Sequence, residues 1–128
     1  MSQDTDNNAL AARLSAVQGE IKRCAETSGR DAQDITLVAV SKTHSLEEVQ
    51  AVAALGQTCF GENTIQDAMT KVPYMGPGIE WHFIGHLQSK KAGKLAGHFQ
   101  WIHSVDSLKL AQKLSNAMLN HSENSVLN

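Results

Sequence analysis

Residues 35–41, Ile-Thr-Leu-Val-Ala-Val-Ser, form a nearly unbroken apolar run rich in β-branched side chains, and no other feature constrains the architecture as strongly. A strand that is apolar on both faces must be covered on both, which is the situation of strands in a parallel sheet. Parallel neighbours need a crossover between them, usually a helix. The next residues supply one: Ser45 and Glu48 stand three apart, as in a capping box, and Gly56 follows a helix expected to end at about Leu55.

The alternation then repeats. Residues 58–60 are expected to form a second strand, and residues 64–72 have helical spacing that Pro73 closes. A breakable loop over residues 73–78, with Pro77 and two glycines, leads to a third strand at 80–84. A short helix over 89–96, a fourth strand at 100–103 and a helix capped by Asp106 and running through Met118 complete the series. Before it all, Leu10, Leu14, Val17, Ile21 and Cys24 recur at spacings of four and three, which predicts a helix over 7–28 stopped by Gly29. A leading helix and four β/α units make an α/β fold, equal to half of an eight-stranded β/α barrel. Such a half leaves strand edges unpaired and one sheet face uncovered. The chain, residues 1–128, is therefore expected to be a partial barrel domain, cut before strand five, with Val126, Leu127 and Asn128 as the first residues of that strand.

Composition narrows the function classes. The formal net charge is only −2, and the basic residues are scattered except for Lys90, Lys91 and Lys94, so no nucleic-acid footprint is expected. Residues 1–9 are polar and acidic, and no later stretch approaches bilayer length, so neither export nor membrane insertion is expected. Cys24 and Cys59 each sit within an apolar pattern and are expected to be buried, reduced thiols, as in a cytoplasmic protein. His82, His86 and His98 fall on a strand, a loop and a helix end without the paired spacing of a zinc site, and no metal is expected.

The residue best placed for chemistry is Lys42, directly after the first strand run, at the carboxyl end where parallel α/β folds build their sites. Partial desolvation there would raise the fraction of neutral, nucleophilic amine available to an aldehyde. Position alone leaves the alternative open that this lysine merely snorkels to water. Asn63, at the end of the second strand, is suited to hydrogen-bond a ligand or to cap the following helix. His82 alternates with Phe83 in the third strand, so one of them faces inward, and sequence does not say which.

For Lys42, three linked motifs tip the balance. Ala39-Val40-Ser41-Lys42-Thr43, Phe60-Gly61-Glu62-Asn63 and Trp81-His82-Phe83-Ile84-Gly85, with Leu87-Gln88 after the last, resemble the AVSKT, FGEN and WHFIG segments of the YggS/PROSC family of pyridoxal phosphate homeostasis proteins. The similarity runs from about Asp34 to Leu119. It implies the N-terminal half of an alanine racemase-like (β/α)8 TIM barrel, with pyridoxal 5'-phosphate held as a Schiff base on Lys42 and with Asn63 and His82 as further candidate cofactor contacts. It also implies that the phosphate is held by segments in the second half of the barrel, beyond the residues present here. One departure is Lys90, where the family usually has asparagine.

The function expected from the resemblance is a non-catalytic carrier or regulator serving vitamin B6 and amino-acid pools. The rival is a racemase-like enzyme, which needs a second base opposite the lysine, and the single tyrosine, Tyr74, lies in the loop after the second β/α unit. A third reading is a fragment without cofactor function of its own. Full-length relatives are expected to be monomeric, whereas an uncovered half-barrel leaves room for self-association.

Overall fold

The computed structural model describes the backbone of residues 2–95 and 97–127, and side chains from residue 8 to 95 and from 97 to 119. Its centre is a four-stranded, all-parallel sheet in the order β1-β2-β3-β4, with β1 at Ala39–Val40, β2 at Cys59–Glu62, β3 at Glu80–Phe83 and β4 at Trp101–Ile102. The helices are α1 at Ser2–Thr27, α2 at Leu46–Ala54, α3 at Ile65–Ala68 and α4 at Leu108–Leu127. Strand and helix alternate as the sequence predicts, and no described helix is long and apolar enough to cross a membrane.

The register assigns the two faces of the sheet. Phe60 pairs with Trp81 and Glu62 with Phe83, so these four point to one side. Phe60, Trp81 and Phe83 are buried there with Val49, Ala68, Leu87, Leu95, Phe99 and Leu110, which places the core between the sheet and the helices. Phe60 and Trp81 pack with ring centroids 5.7 Å apart, and Phe83 meets Phe99 edge-on at 5.4 Å. On the other, inner face lie Val40, Gly61, His82 and Trp101 in one layer, with Cys59 and Glu80 in the layer beneath.

Several boundaries depart from the sequence reading, each for a physical reason. The expected strand 35–41 shortens to Ala39–Val40 because it is an edge strand; at Leu37 the side chain of Gln57 takes the place of ladder bonding, donating to the Leu37 carbonyl at 2.6 Å and to that of Cys59 at 2.8 Å. Nor is this run buried on both faces, since Val40 on the inner face is 49% exposed. Conversely, β2 runs on through Gly61 and Glu62 because β1 and β3 bond it from both sides. A methyl group on Gly61 would lie 3.1 Å from Val38 Cγ1 and 3.2 Å from Ile84 Cδ1, so side chains close over it.

The Ser45–Glu48 capping box is present in both directions, and Gly56 takes φ 102° where α2 stops. The expected helix 64–72 is only Ile65–Ala68, followed by turns and a 3-10 helix at Val72–Tyr74. That over 89–96 is a 3-10 helix at Ser89–Lys94, with Ala96 outside the described residues. Ser107, not Asp106, caps α4, its hydroxyl accepting the Leu110 N–H at 3.1 Å. α4 continues past Met118, so Val126 and Leu127 are helical rather than the start of a strand, and Asn128 lies outside the described residues. The cysteines are not buried as expected: Cys24 is exposed on α1, and Cys59 is half-buried on the inner face. Along the apolar stripe of α1, Leu10, Leu14 and Ile21 are half-buried and Val17 is exposed.

Because the capping box satisfies backbone donors at the exposed start of α2, Ser45→Ala should lower stability by about 1 kcal/mol in urea unfolding. A loss indistinguishable from zero would mean that the helix start is held by packing alone.

Candidate functional site

At the carboxyl ends of β1 and β2 a charged side chain enters the core. Lys71, in the turn after α3, is fully buried, and so is the Glu62 side chain at the end of β2. Lys71 Nζ donates to Glu62 Oε2 at 2.9 Å, to the Ser41 carbonyl at 2.6 Å and to Asp67 Oδ2 at 3.2 Å. Three donated bonds satisfy an ammonium completely. Glu62 Oε2 also accepts from the Ser41 hydroxyl. A buried ion pair offsets its desolvation cost only with such added hydrogen bonds, and here they are supplied from β1, β2 and α3 at once.

The cluster grips the residues on either side of Lys42. Ser41 is held through its carbonyl and hydroxyl, and its N–H donates to the Gly61 carbonyl at 2.9 Å. Thr43 donates its N–H to Asp67 Oδ2 at 2.7 Å and sits at φ 65°, a left-handed conformation that a threonine adopts only where its surroundings enforce it. Between them, Lys42 is exposed, and among the described residues its amine has no ion-pair or hydrogen-bond partner. Lys42 and Thr43 form the two central residues of a turn closed by the His44 N–H, which donates to the Ser41 carbonyl at 3.1 Å. The expected partial desolvation of this lysine is not provided, because β1 is an edge strand with an uncovered inner face.

Burial alone would push the Asp67 carboxyl up. The Thr43 N–H and the Lys71 ammonium, both donating to its Oδ2, outweigh it, so Asp67 is held below the usual aspartate range.

Asn63 lies at the rim beside this cluster. It does not cap the next helix; Thr64 does, its hydroxyl accepting the Asp67 N–H at 3.1 Å. Instead the backbone of Asn63 packs against Gly85, where any Cβ would collide with the Asn63 carbonyl, so the loops after β2 and β3 touch. With Thr64, Ile65, His86, Gln88 and Lys91, Asn63 lines a cavity of about 230 Å³.

His82 is the inward member of its pair and Phe83 the core member. It is buried one layer below the Lys42 level, stacked on Trp101 at 5.9 Å, with Nε2 2.8 Å from Glu80 Oε1 and Nδ1 3.0 Å from His103 Nε2. Both ring nitrogens are thus engaged. His86 is exposed, 3.8 Å from Asp106, and stands apart from His82.

The structure therefore keeps Lys42 and Asn63 at one end of the sheet and sets His82 deeper. Sequence reasoning missed Lys71 and gave Glu62 no role. Two signals were present: Lys71 falls on the helical stripe of Ile65, Ala68 and Val72, and Asp67 precedes it by four residues.

No family model matches the chain. Curated relatives do. The pyridoxal phosphate homeostasis protein of Pseudomonas aeruginosa is 43% identical over 107 residues, 83% of this chain and 46% of the relative. That of Escherichia coli strain K12 is 39% identical over 112 residues, 84% of this chain and 48% of the relative. The chain thus spans about half the length of the curated relatives it matches. Among solved structures, PipY of Synechococcus elongatus PCC7942 with PLP bound is 40% identical with a TM-score of 0.64, covering 76% of this chain and 47% of PipY. A protein from Bifidobacterium adolescentis, described as unknown, is 28% identical with a TM-score of 0.85, covering 93% of this chain and 53% of its own.

Two outcomes check the cluster. Lys71→Met should cost about 3–5 kcal/mol, because it strands a buried carboxylate, and adding Glu62→Gln should recover part of that loss; equal destabilisation of single and double variants would show that the two are not coupled. Asp67 is held below its unfolded value, so its grip on Thr43 is complete at neutral pH and fades as pH falls through the lowered pKa. The Thr43 amide shift in NMR should accordingly titrate with a midpoint below that of an unperturbed aspartate, and the titration should vanish in Asp67→Asn.

Proposed function

Since the chain belongs to the family of pyridoxal phosphate homeostasis proteins, we propose that it holds pyridoxal phosphate at Lys42, as a carrier rather than as a catalyst. The cofactor would supply an aldehyde, and condensation with the Lys42 amine releases water and reverses readily. The observation that carries this reading is the contrast between two lysines at the same end of the sheet. Lys71 is buried and fully paired, while Lys42 is solvent-accessible, without a partner among the described residues, and fixed in place by the clamped Ser41 and Thr43.

The residues present fit the group in that limited sense. Gly85 and Gly61 let the neighbouring strand ends close up without side chains at those points, leaving Asn63 at the rim to hydrogen-bond a polar ring substituent. His82 takes the role of floor beneath this level, its ring nitrogens already engaged by Glu80 and His103. The grip on the phosphate falls to residues beyond this chain in the proposal, so the affinity of this chain rests on the lysine bond.

A carrier is favoured over a racemase by the position of Tyr74. It lies in the 3-10 helix between α3 and β3, is 65% exposed, and its hydroxyl makes no hydrogen bond among the described residues to Lys42 or to the cluster around it. Proton abstraction on the second face of a substrate would need a base near the lysine.

On adding pyridoxal phosphate, a visible absorbance band should appear, and borohydride reduction followed by peptide mapping should place the label on Lys42 ahead of the exposed Lys22, Lys90, Lys91 and Lys94. A band that survives in Lys42→Ala, or labelling spread evenly over the surface lysines, would refute the proposal.

A further inference from the structure

The inner face carries a second group of reactive side chains below the Lys42 level, of which the cofactor reading uses only His82, and that only as a floor. Cys59 on β2 is the register partner of Glu80 on β3, and His82 stands two residues further along β3 on the same face. Strand alternation and the spacing between neighbouring strands set these three side chains as a triangle. The Cys59 Sγ, a Glu80 carboxylate oxygen and a His82 ring nitrogen lie within 4.8 Å of one another. From this geometry we propose a site for a borderline-soft divalent transition metal, zinc being the ion that such a thiolate, imidazole and carboxylate set suits best.

With metal–ligand bonds of about 2.0–2.3 Å, the donors of a tetrahedral ion sit roughly 3.5 Å apart. The Glu80 Oε1 and His82 Nε2 pair, now at 2.8 Å, would open by less than about an ångström, and Cys59 would close in by a rotation of χ1. Neither change moves the backbone of β2 and β3, which are paired with each other at Cys59 and Glu80. Three protein ligands leave the fourth position to water, on the uncovered face.

The second shell is already built. A carboxylate only accepts, so with a neutral ring the His82 Nε2 facing Glu80 carries the proton and Nδ1, 3.0 Å from His103 Nε2, accepts from it. On metal binding both rings switch tautomer through exchange with water: His82 presents a bare Nε2 to the ion and donates from Nδ1 to His103 Nε2. Each ring keeps one proton, and the Cys59 thiol loses one to solvent, so one proton is released per ion bound. Metal-bound histidines commonly donate their second nitrogen in this way, and the packing of His82 beside the roughly parallel rings of Trp101 and His103 orients its ring beforehand.

Cobalt(II), added to the reduced chain without oxygen, is the probe. The expected result is a near-ultraviolet thiolate-to-cobalt band that saturates at one equivalent, bleaches with zinc(II) and is accompanied by release of one proton. Cys24→Ser should keep the band, since Cys24 is on α1, and Cys59→Ser should lose it. Glu80→Gln at a half-exposed position, which does not threaten the fold, should weaken cobalt binding at least tenfold, and His103→Gln should weaken it about 10–100-fold through the second shell. A chain folded by circular dichroism that gives no band, a band lost in Cys24→Ser, or unchanged affinity in Glu80→Gln would each overturn the proposal. Because none of these variants touches Lys42, failure here leaves the cofactor reading standing, and the reverse also holds.

Discussion

The ion pair between Lys71 and Glu62 is the constraint on which the upper end of the sheet depends. A lysine ammonium with no exposure to water is tolerable only if every proton finds an acceptor, and the acceptors come from three separate elements. The end of β1, the end of β2 and the first turn after it must therefore arrive together. The left-handed Thr43 and the clamped Ser41 are results of that convergence, and Lys42 is positioned by a network in which its own side chain takes no part.

The two faces of the sheet do different work. Toward the helices, aromatic and aliphatic side chains pack into one continuous core, and among the described residues the charges buried there are those of the Lys71–Glu62 cluster. The inner face carries Val40, half exposed, and Trp101, 55% exposed, around a polar ladder of Glu80, His82 and His103. In a closed barrel of eight strands that face would be interior. Its mixture of apolar rim and hydrogen-bonded histidines accords with a chain that spans about half the length of its relatives.

Much of this fold was legible because its signals are local. The capping box, the β-branched run and the turn glycines each act within a few residues, and the strand–helix alternation follows from them. Strand lengths were less legible, since pairing partners set them: β1 lost residues at the sheet edge and β2 gained them in the centre. Of the site, Lys42 stood out through its motif, whereas Lys71 did not, because a lysine near a helix end reads as surface until its counter-charge is located. The Cys59–Glu80 juxtaposition depends on register between strands some twenty residues apart, which no periodicity reveals. Helix caps erred by single residues, Thr64 for Asn63 and Ser107 for Asp106, where two capable side chains stood side by side.

Side chains on a strand alternate, so sliding β2 by one place against its neighbours would carry Glu62 across to the opposite surface. Lys71 would then be sealed among hydrocarbon with no anion within reach, a state too costly to persist. Apolar contacts alone tolerate such a slip more readily, because leucine and valine are interchangeable to one another in a way that opposite charges are not. The buried pair thus specifies the alignment of the parallel strands by penalising any register that separates the two charges.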